Sequence, residues 1–142
     1  MARMSEGDRR AIVSGVLDIP LHRALGVRLI DPERPADGVE MDIGELSRNN
    51  TGILHGGVVP MLLDVSCYLA ALETLEAGTH AVTVNLSTSL LTGASEGVLA
   101  CTGQLDRQGR SLLFLSARAM VGDRLVATAQ VVKSVVGWSP AG

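Results

Sequence analysis

One carboxylate stands alone in the longest apolar stretch of this chain. Between Gly56 and Leu72 the only charged residue is Asp64. On a helix, Val58, Val59, Met61, Leu62, Leu63, Val65, Leu69, Ala70 and Leu72 would cover nearly every direction around the axis. An ionised carboxylate in such surroundings is costly unless it is paired, hydrogen-bonded or wet. The plain alternative is that Asp64 lies on the one solvated stripe of the helix. Its neighbours at i−4 and i+4, Pro60 and Tyr68, build no charged stripe, and with Ser66 and Cys67 nearby the pattern favours a small polar pocket.

The residues before it carry a second chemical signal. In Asn49-Asn50-Thr51-Gly52-Ile53-Leu54-His55-Gly56-Gly57, two glycines open the helix with bare backbone N–H groups. A helix N-terminus bears about half a positive charge and favours anions or developing oxyanions. Glycine also lets a substrate carbonyl come close to that backbone. Taken alone, Gly56-Gly57 could equally make a tight turn into the helix, and a lone histidine such as His55 more often caps or packs than reacts. Geometry adds a condition. Asp64 lies seven residues beyond Gly57, roughly 10 Å along the axis at 1.5 Å per residue. One helix cannot easily bring both to the same carbonyl, whereas two antiparallel copies would set each Asp64 near the other's Gly57. The spacing asks for a symmetric dimer with sites at its interface.

The elements that must position these groups can be read along the chain. With 142 residues, 46% hydrophobic and 19% charged, one folded domain over 1–142 is expected, with a core that needs no disulfides. The net charge of −3 and only three aromatics, Tyr68, Phe114 and Trp138, offer neither a basic footprint nor stacking platforms for nucleic acid. Cys67 and Cys101 match no metal-ligand spacing and read as buried thiols of a reducing compartment. Three histidines without a Cys/His cluster leave nothing for zinc. Charges near Met1 exclude a signal peptide there, and the run Val58–Leu72 is too short to cross a bilayer, so a cytoplasmic location with no membrane partner is expected.

Residues 5–18 have a capping-box start and helical spacing, ended by Pro20, within an N-terminal helical segment over 1–25. Strands are expected at Val27–Ile30 and at Val39, Met41, Ile43, then a polar loop over 47–54. The central helix is predicted over 56–77, with Gly78 as its C′ residue. After it the period changes to two, with strand-like runs at His80–Leu91, Val98–Leu105, Ser111–Val121 and Leu125–Val136. Hairpins at 106–110 and at Gly122-Asp123 join the last three. Helix, two strands, long helix and four strands make an α+β domain with an antiparallel sheet curled around its helix. Thr83, Asn85, Ser87 and Ser89 alternate with Val82, Val84 and Leu86. They are read as one small polar face, suited to a wet pocket or to open surface.

Asn49-x-x-Gly52-x-x-His55-Gly56-Gly57 followed by Asp64 resembles the hotdog-fold acyl-CoA thioesterases, specifically the PaaI-like (phenylacetate-pathway) group. Pro20–Val27, Ala81–Leu91 and Gly109–Val132 follow the same resemblance. It implies the hotdog fold, an antiparallel sheet wrapped around one long central helix, paired as a homodimer and often a homotetramer. It also implies that Asp64 activates water or attacks the thioester, and that the Gly57 N–H of the other protomer polarises its carbonyl. Asn49 and His55 would orient substrate carbonyl and water, and Thr83 would hydrogen-bond the acid residue. For the substrate, the resemblance points to Gly56, to the strand end and loop at Ser89, Leu91 and Gly93, and to the turn Gly109-Arg110-Ser111. Coenzyme A would be part of the substrate, with no separate cofactor. Where many relatives carry a basic residue and a proline, this chain reads Leu91-Thr92-Gly93-Ala94, leaving Arg107 and Arg110 to meet the phosphates.

The leading expectation is hydrolysis of an acyl-CoA thioester. A hotdog hydratase would pair its acid with a histidine five residues on, and position 69 here is Leu. A non-hydrolytic acyl-CoA-binding regulator would have little reason to keep Asp64. The acyl pocket should be aliphatic, open to a medium straight chain or an arylacetyl group.

Overall fold

A computed structural model describes residues 2–139; Met1 and residues 140–142, part of the expected single domain, lie outside the described residues. Ser5 caps the first helix, α1 (Glu6–Leu17), by accepting the Asp8 N–H. Pro20 not only ends that run but opens a second short helix, α2 (Pro20–Leu25), where its missing N–H costs nothing. Gly26 closes α2 in the left-handed region at φ +70°. Two short strands follow, β1 (Arg28–Leu29) and β2 (Val39–Asp42).

The central helix, α3 (Val58–Leu72), is shorter than the sequence implied. It stops at Leu72 rather than Ala77 because the next backbone groups find partners elsewhere. The N–H and hydroxyl of Thr74 both turn back to the Ala71 carbonyl. The N-terminal segment then pairs with residues 75–77: Met4 N–H donates to Leu75 O, and Ala77 N–H to Ala2 O. Gly78 does adopt φ +76°, but in the turn into the next strand rather than as a helix cap.

Four long strands complete the fold: β3 (Thr79–Leu90), β4 (Val98–Gln108), β5 (Leu112–Val121) and β6 (Arg124–Gly137). They join the first two in one six-stranded sheet of order β1-β2-β4-β5-β6-β3. Every pairing is antiparallel. This is the α+β hotdog fold, a curled sheet packed on α3. Alternation explains the burial: Leu113, Leu115, Ala117 and Ala119 on β5, and Ala127, Ala129 and Val131 on β6, turn inward. Opposite them Leu62, Leu63 and Leu69 of α3 are buried, each contributing about 1.5–3 kcal/mol.

The sheet's small inward residues let it close on the helix. Gly103 of β4 sits directly against α3, where a Cβ would stand 2.8 Å from the Cys67 amide nitrogen and 2.9 Å from its Cα. Only glycine fits there. Beside it the Ser66 hydroxyl donates to the Cys101 carbonyl at 2.8 Å. Ser66 and Cys67 therefore face the sheet, and the small polar pocket around Asp64 does not include them. Ser66 lies across the helix from Asp64, and both side chains meet the side that β4 and β5 cover, at the Cys101 and Ser116 carbonyls.

Candidate active site

Asp64 lies in the middle of α3, half-buried, on the side the sheet covers least. Its Oδ1 accepts two hydrogen bonds, from Thr83 Oγ1 at 2.7 Å and from Lys133 Nζ at 2.9 Å. Lys133 Nζ also donates to Thr83 Oγ1 at 2.7 Å. The lysine is 1% exposed, the largest fully buried side chain among the described residues. Its ammonium stands 5.6 Å from the Tyr68 ring centroid, and the Tyr68 hydroxyl meets His80 Nδ1 at 3.1 Å. The costly lone carboxylate is thus a paired one.

Lys133 was not among the residues the sequence singled out, although a signal was there. It is the one charged residue in Val131-Val132-Lys133-Ser134-Val135-Val136, and it shares the parity of Ala127, Ala129 and Val131, which turn inward. A lone cation in an apolar strand is the natural counterpart of a lone anion in an apolar helix.

Thr83 reaches Asp64 through a break in β3. Thr83 pairs with Lys133, but Asn85 pairs with Val132, so Val84 is an extra residue and the strand bulges there. The bulge flips the alternation. Thr83 faces the helix, whereas Asn85, Ser87 and Ser89 fall on the opposite face, opposite Val132, Gln130 and Thr128. The single polar face expected from the sequence is split, and Ser89 lines a groove on the outer side of the sheet with Thr102, Gln104 and Gln130. That is the wrong side for a substrate at Asp64.

A cavity of about 400 Å³ opens at Asp64, walled by Met61, Val65, Ala81 and Val82 with Tyr68, His80 and His22. His22 Nδ1 lies 2.7 Å from the Val16 carbonyl. A carbonyl only accepts, so Nδ1 carries a proton in this contact. Among the described residues no cluster of three or more His, Cys, Asp or Glu could hold a metal ion.

The start of α3 is built differently. Asn49 Oδ1 accepts from the Thr51 N–H and hydroxyl and from the Ile53 N–H, which pins its own loop. Gly57 N–H donates to His55 Nδ1 at 2.8 Å, so the histidine caps the helix start while its ring stays exposed. Asn49, Gly56, Leu91 and Gly93 come together around a second cavity of about 390 Å³ with Ile53, Val59 and Leu90. Gly109, Arg110 and Ser111 form the turn between β4 and β5, where Ser111 O accepts from Val135 N–H. None of the three lines either cavity. The candidate residues therefore fall into two separate groups, Asp64 with Thr83 and Asn49 with the glycine start, plus outliers on the outer face and at one turn.

Burial pushes the Cys67 and Cys101 thiols up to about 12. Both stay protonated and unreactive as nucleophiles near neutral pH. Burial also raises the Tyr68 phenol, which stays a neutral hydrogen-bonding group. No helix among the described residues is long and apolar enough to cross a membrane.

Comparisons with known proteins agree with this fold. A thioesterase family protein from Silicibacter pomeroyi superposes with a TM-score of 0.79 at 24% identity, over 92% of this chain and 99% of that one. A thioesterase from Haemophilus influenzae does so with a TM-score of 0.77 at 20% identity, over 87% of each chain. A Bacillus halodurans protein whose crystal structure contains CoA gives 0.77 at 22% identity, over 92% of this chain and 90% of that one. No curated protein matches the chain. The sequence profile of the thioesterase superfamily matches residues 51–127, which takes in the start of α3, Asp64 and Thr83 but stops short of Lys133. The chain belongs to the thioesterase superfamily.

Proposed function

We propose that the protein hydrolyses acyl-CoA thioesters to free acid and coenzyme A, as a PaaI-like member of its superfamily, with Asp64 as general base or nucleophile. The observation that carries this is the carboxylate itself. It is fixed by two donors on one oxygen, and its side chain is 31% exposed toward a largely apolar cavity. A base or nucleophile needs that combination of fixed position and access. The cavity is lined by aliphatic Met61, Val65, Ala81 and Val82 together with Tyr68, His80 and His22, which suits a medium acyl or arylacetyl group. The superfamily supplies the reaction class, and the CoA-containing relative supplies a precedent for the carrier.

The reaction also needs a donor for the developing oxyanion, and the Gly57 N–H serves in this reading. Within one chain it opens away from Asp64, and His55 Nδ1 occupies it. A second protomer supplies the missing half. The outer edge of β3 is unpaired in the sheet order, and the strand exposes Val82, Val84, Leu86 and Leu90 without a guarding lysine or proline. A twofold partner seated on that edge would run its own α3 antiparallel and bring its Gly57 toward Asp64. His55 then swings off the Gly57 N–H as the thioester carbonyl arrives, and Asn49 stays with the loop that carries both. Arg107 and Arg110 remain candidates for the CoA phosphates, reached from the partner side, and two dimers could further pair as a tetramer.

Free-thiol release from a panel of straight-chain and arylacetyl-CoAs tests the activity. Hydrolysis of at least one member is expected, together with a dimer or larger species in sedimentation. Calorimetric binding of acyl-CoA without thiol release on any member would replace this reading with a non-hydrolytic acyl-CoA-binding protein.

A further inference from the structure

We propose that Lys133 is a positioning residue for the reaction at Asp64: with Thr83 it clamps Oδ1, so that Oδ2 is the oxygen presented to substrate or water. The proposal rests on the reading of Asp64 as the reacting carboxylate.

The directions of the hydrogen bonds follow from chemistry alone. An ammonium only donates, so Thr83 Oγ1 accepts from Lys133 and must send its single proton to Asp64. Oδ1 therefore receives both donors, at 2.7 and 2.9 Å, while Oδ2 has no hydrogen-bond or ion-pair partner among the described residues. Thr83 and Lys133 are direct partners across β3 and β6, just before the bulge that ends that register. Two hydrogen-bonded strands thus hold both donors in one rigid frame, and a carboxylate gripped by both at one oxygen has its plane fixed. The Lys133 side chain is 2% exposed and that of Asp64 31%, so the ammonium grips from the interior while the carboxylate keeps access to the cavity. The ammonium also cancels the charge of the carboxylate, which lessens repulsion of the oxyanion that develops beside it in either mechanism.

A purely structural ion pair would change stability without changing turnover by the folded enzyme, so the test is kinetic. In the full-length protein, with an acyl-CoA that the wild type hydrolyses, folded Lys133→Met is expected to lose roughly 10- to 100-fold in kcat while KM moves less than about threefold. In Lys133→Ala, added propylammonium is expected to restore kcat at least about fivefold, whereas 1-propanol at the same concentration does not. Should Met at 133 prevent folding, Thr83→Val removes one arm of the clamp and leaves the ammonium on Asp64; a lowered kcat is expected there too. Wild-type kcat in folded Lys133→Met or in Thr83→Val, with Asp64→Asn inactive, overturns the clamp and leaves Asp64 as the reacting group. Wild-type turnover by Asp64→Asn overturns both readings.

Discussion

The two ends of α3 are made in opposite ways. Around Asp64, side chains from three elements converge: the carboxylate from α3, Thr83 from β3 and Lys133 from β6 satisfy one another across a buried contact. At the helix start, the groups satisfy themselves within one loop. Asn49 bonds its own neighbours and Gly57 bonds the histidine two residues back. The first arrangement is preorganised by the sheet. In the second, the loop backbone is anchored, with Leu54 N–H on the Ala94 carbonyl and His55 N–H on the Ser47 carbonyl, but the exposed His55 ring on the Gly57 N–H can be rearranged at small cost. A reaction assembled from both would keep its charged group fixed and let its oxyanion donor adjust to the substrate.

The sharpest break in this comparison is Asp64→Asn. Thioester hydrolysis should fall at least about 10²-fold, measured by thiol release. The same change strands the Lys133 ammonium without its anion, so stability should fall by about 3 kcal/mol, at the low end for a broken buried pair because Asp64 is partly solvated. Adding Lys133→Met to that variant should recover much of the lost stability and none of the activity. A urea midpoint for Asp64→Asn equal to the wild type would show that the pair is not the structural hub described here.

Gly103→Ala probes how firmly the sheet seats the Asp64 half of the helix. The new Cβ would press on the backbone of Cys67, which cannot move without shifting α3. A loss of about 2 kcal/mol is expected, read from denaturant midpoints. The matching change at the helix start, Gly57→Ala, would meet only the exposed His55 ring, which can rotate away, and should cost far less.

How much of this was legible follows the same division. The order of elements, the long strands and the curled sheet could be read because alternation and helical periods are local properties of the sequence. The lone Asp64 could be read because charge in an apolar run is conspicuous. What could not be read depends on pairing between distant segments. The helix ends at Leu72 because residues 2–4 capture the backbone of residues 75–77. Ser89 lies on the outer face because β3 slips by one residue against β6 at Val84. Strict alternation cannot anticipate a bulge, and here the bulge is what separates Thr83 from the residues that appeared to share its face. Lys133 was open to inference from parity, but only if the partner of Asp64 had been sought on another element.

Alkaline pH should loosen the sheet-facing side of the helix. Cys67 and Cys101 are raised from an ordinary 9.0 to about 12, the cause being burial. The unfolded chain therefore releases these protons first as pH rises. The stabilisation is fully present below pH 9 and is lost progressively toward 12, by about 1 kcal/mol per thiol between pH 9 and 10. Denaturant midpoints across that range should fall, and Cys67→Ala/Cys101→Ala should flatten the slope. A slope unchanged in that double variant would mean that other groups carry the alkaline loss.

The mildest test addresses the loop end directly. His55→Ala removes the acceptor of the Gly57 N–H and leaves that donor to water. The ring is exposed and packs against nothing in the core, so stability should change by less than about 0.5 kcal/mol. Activity should fall by about tenfold, because an orienting group is lost while the oxyanion donor itself remains. Activity and stability would then separate at this end of the helix, whereas Asp64→Asn moves both. If His55→Ala instead costs more than about 1 kcal/mol, beyond the usual range for surface changes, the helix start is held as firmly as the Asp64 end and the contrast between them fails.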